Sequence, residues 1–398
     1  ALTIALRPLK DIGETSLKFT SLEKPSGGDD AVVDIGALMD VGLVRYAARA
    51  TRSKDFAWRP APAMIVPTSS WNMQKNVSKQ FWLNFRIPNG MAPGNYRGTI
   101  TITPVNATPT QLEVELEVLP FSLQRPSDLA LGMTYFSPVQ DAWFDEERFW
   151  QRMAAEFADM RANGFTTIQY TGIGIDDYER LDRMLRLYRE AGFEQPLVLL
   201  ESYGAMDRLR RDGIAWDSED FFSSYQQSIR ELLAEAERGQ WPPVIINFGD
   251  EFTNSAMEEF GARVARSLKQ IPGIVTSADA NGYKEVSLLA PEVDIVAFNN
   301  GWAGPEGVNG DKKLLHKGTV DRIIKAGAKP WLVNIGKDRF SNGYWLWKMV
   351  NLGVRGKLEW IYRSYNGMPH NSLDAQPMRA QIVYPGPKGS IISSLDYQ

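Results

Sequence analysis

The chain has 398 residues, 43% apolar and 23% charged, a globular balance that excludes a disordered, collagen-like or disulfide-scaffold protein. Its 44 basic and 48 acidic residues leave a net charge of −4, so no broad cationic field exists to hold nucleic acid or anionic lipid, and no apolar run approaches the ~20 residues of a membrane span. With no Cys and only His316 and His370, thiol chemistry and all-His zinc sites are out of reach, and no metal or cofactor is implied; the chemistry falls to carboxylates, amides, hydroxyls and aromatic rings.

At ~150 residues per domain the length predicts two to three domains, or one large barrel with an accessory module. Ala1 opens directly into the strand-like Leu2-Thr3-Ile4-Ala5-Leu6, which reads as a mature or trimmed form expected in a secreted, periplasmic or cell-surface setting. Residues 1–123 alternate in short segments broken by Gly, Pro, Asn and Asp, the pattern of an antiparallel β-sandwich. Strands are predicted over Phe81–Ile87, Tyr96–Thr103 and Gln111–Leu119; in the last, Leu112, Val114, Leu116 and Val118 alternate with Glu113, Glu115 and Glu117, giving one buried and one wet face.

After a polar linker around Pro126 the rhythm changes to strand, helix, strand, helix, and a second domain over 124–398 is expected. Strands are predicted at Leu129–Phe136, Thr166–Gly172, Pro196–Glu201, Val244–Asp250, Ile274–Asp279, Asp294–Asn300, Pro330–Ile335 and Lys357–Arg363. Helices are predicted at Glu146–Asn163, closed by Gly164, at Asp176–Ala191, closed by Gly192, and at Glu219–Arg238, Met257–Ile271, Val320–Ala326 and Asn342–Leu352. The stretch Asn281–Val293 is short for a full helix, and no clear eighth helix follows the last strand. Eight β units in roughly 270 residues fit a (β/α)8 TIM-type barrel, and no Gly-rich phosphate loop recommends a dinucleotide-binding sheet.

Functional residues of such a barrel lie at the C-terminal ends of its strands. Those ends supply Tyr135, Tyr170, Glu201, Tyr203, Asn247, Asp250, Glu251, Asp279, Asn281, Asn299, Asn300, Trp302, Asn334, Lys337, Asp338, Trp360, Tyr362 and Tyr365. Amides and carboxylates pair with sugar hydroxyls, and aromatic rings stack on a pyranose face, so this rim suits an oligosaccharide or glycoconjugate. Tyr344, Trp345 and Trp347 fall on a predicted helix, where core packing is expected for at least two of them.

The sharpest feature is Val244-Ile245-Ile246-Asn247-Phe248-Gly249-Asp250-Glu251, an apolar strand running into two adjacent carboxylates. Both reach one cleft only if the backbone turns there, and their proximity then keeps one protonated and the other ionised. An acidic helix N-terminus is the competing explanation of the same pair. A retaining two-carboxylate glycosidase needs its second acid ~5–5.5 Å away and an inverting one ~6.5–9.5 Å away; Trp331-Leu332-Val333-Asn334-Ile335-Gly336 offers none on the seventh strand, which leaves Glu201, Asp279 or Asp338. Alternatively a substrate 2-acetamido oxygen attacks C1 while one acid of the pair orients it and the other protonates the leaving group. A third reading is a non-hydrolytic carbohydrate-binding protein on a barrel that has lost its chemistry.

The segments Phe81-Trp82-Leu83-Asn84-Phe85-Arg86-Ile87-Pro88 and Ala92-Pro93-Gly94-Asn95-Tyr96-Arg97-Gly98-Thr99-Ile100-Thr101-Ile102, with Gly249-Asp250-Glu251 and Val383-Tyr384-Pro385-Gly386, resemble glycoside hydrolase family 123 and its bacterial relatives. The resemblance implies a β-N-acetylgalactosaminidase-type activity with substrate assistance, Asp250 stabilising the acetamido group and Glu251 acting as general acid/base.

Overall fold

A computed structural model describes residues 1–20, 22–24, 32–33, 39–50, 58–88, 90–124, 126–138, 145–200, 204–250, 252, 255–299, 315–334, 339–364 and 382–397. It contains two antiparallel sheets and a closed barrel of eight parallel strands, the sandwich-plus-barrel architecture expected from the sequence.

One sheet runs in the order Leu2–Leu6, Lys79–Phe85, Met39–Ala50 and Trp58–Pro67; the other runs Val32–Val33, Leu22–Glu23, Gly94–Pro104, Gly13–Phe19 and Ser70–Met73, with Thr110–Val118 also paired to Gly94–Pro104. Alternate side chains from both sheets meet in an apolar layer of Leu17, Phe19, Leu22, Trp71, Met73, Phe81, Leu83, Tyr96, Ile100 and Ile102. The Trp71 and Phe81 rings approach to 3.9 Å between centroids. Val114, Leu116 and Val118 pack only at the margin of this layer and Leu112 is 37% exposed, because their strand lies at a sheet edge.

The barrel strands are Ala130–Phe136, Gln169–Thr171, Leu197–Leu200, Val244–Asn247, Thr276–Ala280, Ile295–Asn299, Lys329–Val333 and Gly356–Arg363, hydrogen-bonded in sequence order. Their inward positions form an apolar floor of Ala130, Val198, Ile245, Ile295, Ala297, Trp331, Val333 and Leu358. Gly356 is needed in this floor, since a Cβ there would stand 2.1 Å from the Trp331 ring.

The outward positions pack against helices Glu146–Ala162, Tyr178–Glu190, Glu219–Arg238, Ser255–Leu268, Lys317–Ala326 and Arg339–Asn351. Asp145 caps the first by accepting from the Glu147 N–H at 2.9 Å, and Ser218 caps the third from the Phe221 N–H at 3.1 Å. Gly164 and Gly192 follow their helices at φ of +93° and +83°, the left-handed conformation that ends a helix without a Cβ clash.

Two one-turn-plus helices, Ala205–Arg211 and Tyr283–Leu289, are additional to those predicted; each has only seven residues, too few for a clear apolar period. The expected burial of the aromatic cluster on Arg339–Asn351 is corrected: Trp345 packs against the core, whereas Tyr344 is 47% and Trp347 64% exposed, because they lie on the helix's outer face.

No α-helix follows the eighth strand among the described residues, only the 3-10 turns Pro387–Gly389 and Leu395–Tyr397. Instead Val383–Pro385 and Ile391–Ser394 add to the first sheet, with Ser393 opposite Ile65 and Ser394 opposite Met64. The boundary expected at 123/124 is therefore crossed by the end of the chain. The same segment holds the barrel: Arg152 Nη1 donates to the carbonyls of Gly389 and Ser390 at 3.0 and 2.9 Å, and the Tyr397 hydroxyl donates to Asp159 Oδ2 at 2.7 Å.

Candidate active site

Above the apolar floor the inward positions turn polar, and four strands contribute to one hydrogen-bonded chain. The Thr134 hydroxyl donates to Gln169 Oε1 at 2.7 Å, Gln169 Nε2 donates to Asp279 Oδ2 at 3.2 Å, and Asn247 Nδ2 donates to Asp279 Oδ1 at 2.9 Å. Each residue sits two positions along from an inward neighbour, as Asn247 does from Ile245 and Asp279 from Ser277, so strand alternation alone aims them at the barrel axis.

The Asn247 amide also receives the Gly249 N–H on Oδ1 at 3.3 Å, and the Asp279 N–H donates to the Gly249 carbonyl at 2.9 Å. Gly249 is thus gripped through both its donor and its acceptor. A Cβ on it would meet the Phe252 ring at 2.3 Å, so only glycine permits the chain to pass this close beneath buried Phe252. The next residue is Asp250, half-buried at the mouth of the barrel.

Burial is the main reason the Asp279 carboxyl is held well above the usual carboxylate range; the Asp250 charge raises it further, and the amides of Asn247 and Gln169 oppose the shift. Asp250 also acts on Glu285, in helix Tyr283–Leu289. Burial pushes Glu285 up to about 7, opposed by the backbone N–H groups of Asn281 and Gly282, with Glu258 and Asp250 adding negative charge. The Asn281 N–H reaches Glu285 Oε2 at 2.6 Å. Glu258 in turn is ion-paired with Lys284, whose Nζ also donates to Ser255 Oγ at 2.8 Å. Such an assembly separates carboxyl groups into protonated and ionised members at one pH, the condition for acid–base work.

Of the expected rim, Asn247, Asp250 and Asp279 are therefore brought together. Asn299 is buried at the end of the sixth strand, on the inward face above Ala297. Trp360, on the eighth strand, is 41% exposed and meets Phe136 edge to face at 5.5 Å. Its backbone N–H donates to Asn334 Oδ1 at 3.1 Å, Asn334 has φ +56°, and a cis peptide joins Trp360 to Ile361.

Tyr170 and Tyr362 are corrected as sugar-facing residues, because both lie on the outer side of the barrel wall. Tyr170 stacks on Tyr135 at 6.1 Å and hydrogen-bonds Ser137; Tyr362 donates to Asp159 Oδ2 of the first barrel helix at 2.7 Å. Tyr135 likewise points outward, its hydroxyl donating to Glu156 Oε2 at 2.7 Å. Glu251, Glu201, Tyr203, Asn300, Trp302, Lys337, Asp338 and Tyr365 lie outside the described residues.

Thr134, Gln169 and Glu285 are missing from the expected rim. The parity of Asn247 and Asp279 extends to Gln169 rather than Tyr170, whereas nothing in the residues around Glu285 marks its approach to Asp250. Among the described residues no three His, Asp or Glu side chains are arranged to hold a metal ion, and no helix is long and apolar enough to cross a membrane.

Residues 41–104 match the family model of the glycoside hydrolase 123 N-terminal domain. Among solved structures, the fold is similar to that of a family 123 glycoside hydrolase from Clostridium perfringens, studied for glycolipid glycan hydrolysis: TM-score 0.75, 13% identity, covering 99% of this chain and 79% of that one. Weaker likenesses include a family 39 glycoside hydrolase from Bacteroides cellulosilyticus WH2 (TM-score 0.45, 11% identity, 98% and 79% covered) and an endo-1,4-β-D-mannanase from Thermotoga petrophila RKU-1 (0.43, 12%, 61% and 91%), both too distant to bear on the site. No curated protein matches the sequence. In its N-terminal domain and its overall architecture the chain is family 123-like.

Proposed function

We propose that this chain is a glycoside hydrolase that cleaves β-linked N-acetylhexosaminides, N-acetylgalactosaminides foremost, in an oligosaccharide or glycoconjugate, with retention of configuration. The substrate's acetamido carbonyl oxygen attacks C1 as the bond to the leaving oxygen breaks, giving a bicyclic oxazolinium. Glu251 delivers its proton to that oxygen. Asp250, ionised, accepts the acetamido N–H and stabilises the positive charge as it develops. Glu251 then takes a proton from water, the hydroxide adds at C1, and the ring reopens to the acetamide.

The observation that carries this reading is Asp250 at the mouth of the barrel, beside a buried Asp279 whose carboxyl is held well above its ordinary range, with Glu251 next in the chain. The match of the N-terminal domain to a family 123 model and the likeness over 99% of the chain support the same reading.

The two-carboxylate alternative with Asp279 as second acid has less in its favour, because both Asp279 oxygens are occupied by amide donors inside the barrel. Asp250→Asn is expected to lower kcat on aryl N-acetyl-β-hexosaminides by roughly a hundred- to a thousandfold, and a thiazoline mimic of the oxazolinium should inhibit. Tight sugar binding without turnover by the unaltered protein would instead identify a binding protein.

A further inference from the structure

Asp279 is 5% exposed, and the polar side chains bonded to it, Gln169 and Asn247, are neutral amides. Among the described residues no Lys, Arg or His faces it; the facing charge is that of Asp250, beyond which stand Glu285 and Glu258, the latter paired with Lys284. A carboxylate in such a place would be a buried anion without a counter-cation beside a second anion, an arrangement proteins avoid by leaving the proton on one of the two. At the same time its backbone N–H and the Asn247 side chain grip Gly249, the residue that launches Asp250.

We propose that Asp279 is a positioning residue that keeps its proton while the enzyme works, fixing the Gly249–Asp250 turn and leaving Asp250 as the ionised member of the pair. This rests on the functional reading above only for the role given to Asp250; the protonation of Asp279 stands on the barrel interior alone. Because the two carboxyls face each other, removal of the second proton is opposed by the charge that the first leaves behind.

The test is Asp279→Asn in the full chain. A proton on Asp279 Oδ2 requires Gln169 to present Oε1 to it in place of Nε2, with Nε2 donating to the Thr134 hydroxyl, and the N–H of the substituted amide uses the same flipped Gln169. The infrared difference spectrum of wild type minus variant at neutral pH should contain a protonated-carboxyl C=O band that disappears as the pH is raised; ionised carboxylate bands in its place overturn the proposal. On an aryl N-acetyl-β-hexosaminide, kcat/KM should fall by about tenfold, mostly in kcat, with the basic limb of the pH profile displaced. A loss of more than a thousandfold, restored by azide, would make Asp279 a nucleophile and overturn it as well.

Asp250→Asn gives a second reading should the first variant fold poorly. Removing the neighbouring charge should move the titration of the Asp279 band to lower pH, and an unmoved band contradicts the pairing. Because the spectrum needs no turnover, a chain inactive on every N-acetylhexosaminide would defeat the functional reading and leave the Asp279 measurement to stand or fall separately.

Discussion

At the residue scale, Glu285 carries the clearest pH signature. Its carboxyl is raised to about 7 in the fold, above its ordinary 4.5. The folded state therefore binds a proton that the unfolded chain has released, and stability is lost as the pH rises from about 4.5 through about 7. Glu285→Gln removes that dependence: its melting temperature relative to wild type should climb across this interval and level off above it, and a difference constant with pH would contradict the assignment. The convergence of Asp250, Asn247 and Asp279 was legible because all three stand towards the C-terminal ends of neighbouring barrel strands, which meet over one mouth. Tyr170 was misplaced for a reason of parity, whereas Tyr362 shares the parity of inward Leu358 and faces outward because the pairing with Ala130–Phe136 shifts register after Glu359. Side chains at a strand end alternate between axis and helices, so proximity to the end does not choose the side, and only the partner network through Gln169 does.

At the scale of elements, the strongly patterned units were readable. Glu219–Arg238 lies where its amphipathic period puts it, and the long first barrel helix ends at its glycine. The seven-residue helix Tyr283–Leu289 escaped because so few residues cannot display a 3.6-residue period, and with it went Glu285. Exposure of Tyr344 and Trp347 shows the converse limit, since an aromatic cluster on a helix says nothing by itself about which residues face the core. Barrel closure makes a sharper demand at Gly356. Gly356→Ala forces a methyl into the Trp331 ring, 2.1 Å away, and should destabilise the fold by about 1–3 kcal/mol in denaturant titration. A variant as stable as wild type would show that the floor of the barrel is looser than described.

At the scale of the whole molecule, the end of the chain ties the two halves together. Ile391–Ser394 extends the first sheet while Tyr397 and the Gly389–Ser390 carbonyls hold the first barrel helix. This was illegible in the sequence, because a four-residue strand whose sheet partner lies more than three hundred positions away leaves no local pattern. Removing 383–398 exposes a sheet edge and the buried Arg152, so calorimetry should show the sandwich and barrel both melting earlier; a barrel transition at the wild-type temperature would contradict the tie. Whether the substrate's own acetamido oxygen is the nucleophile is decided by aryl β-N-acetylgalactosaminides carrying one, two or three fluorines on the acetyl group. Each fluorine weakens that oxygen, so kcat/KM should fall steeply along the series; a flat series would show that the acetamido group does not attack, and the proposed mechanism would be wrong.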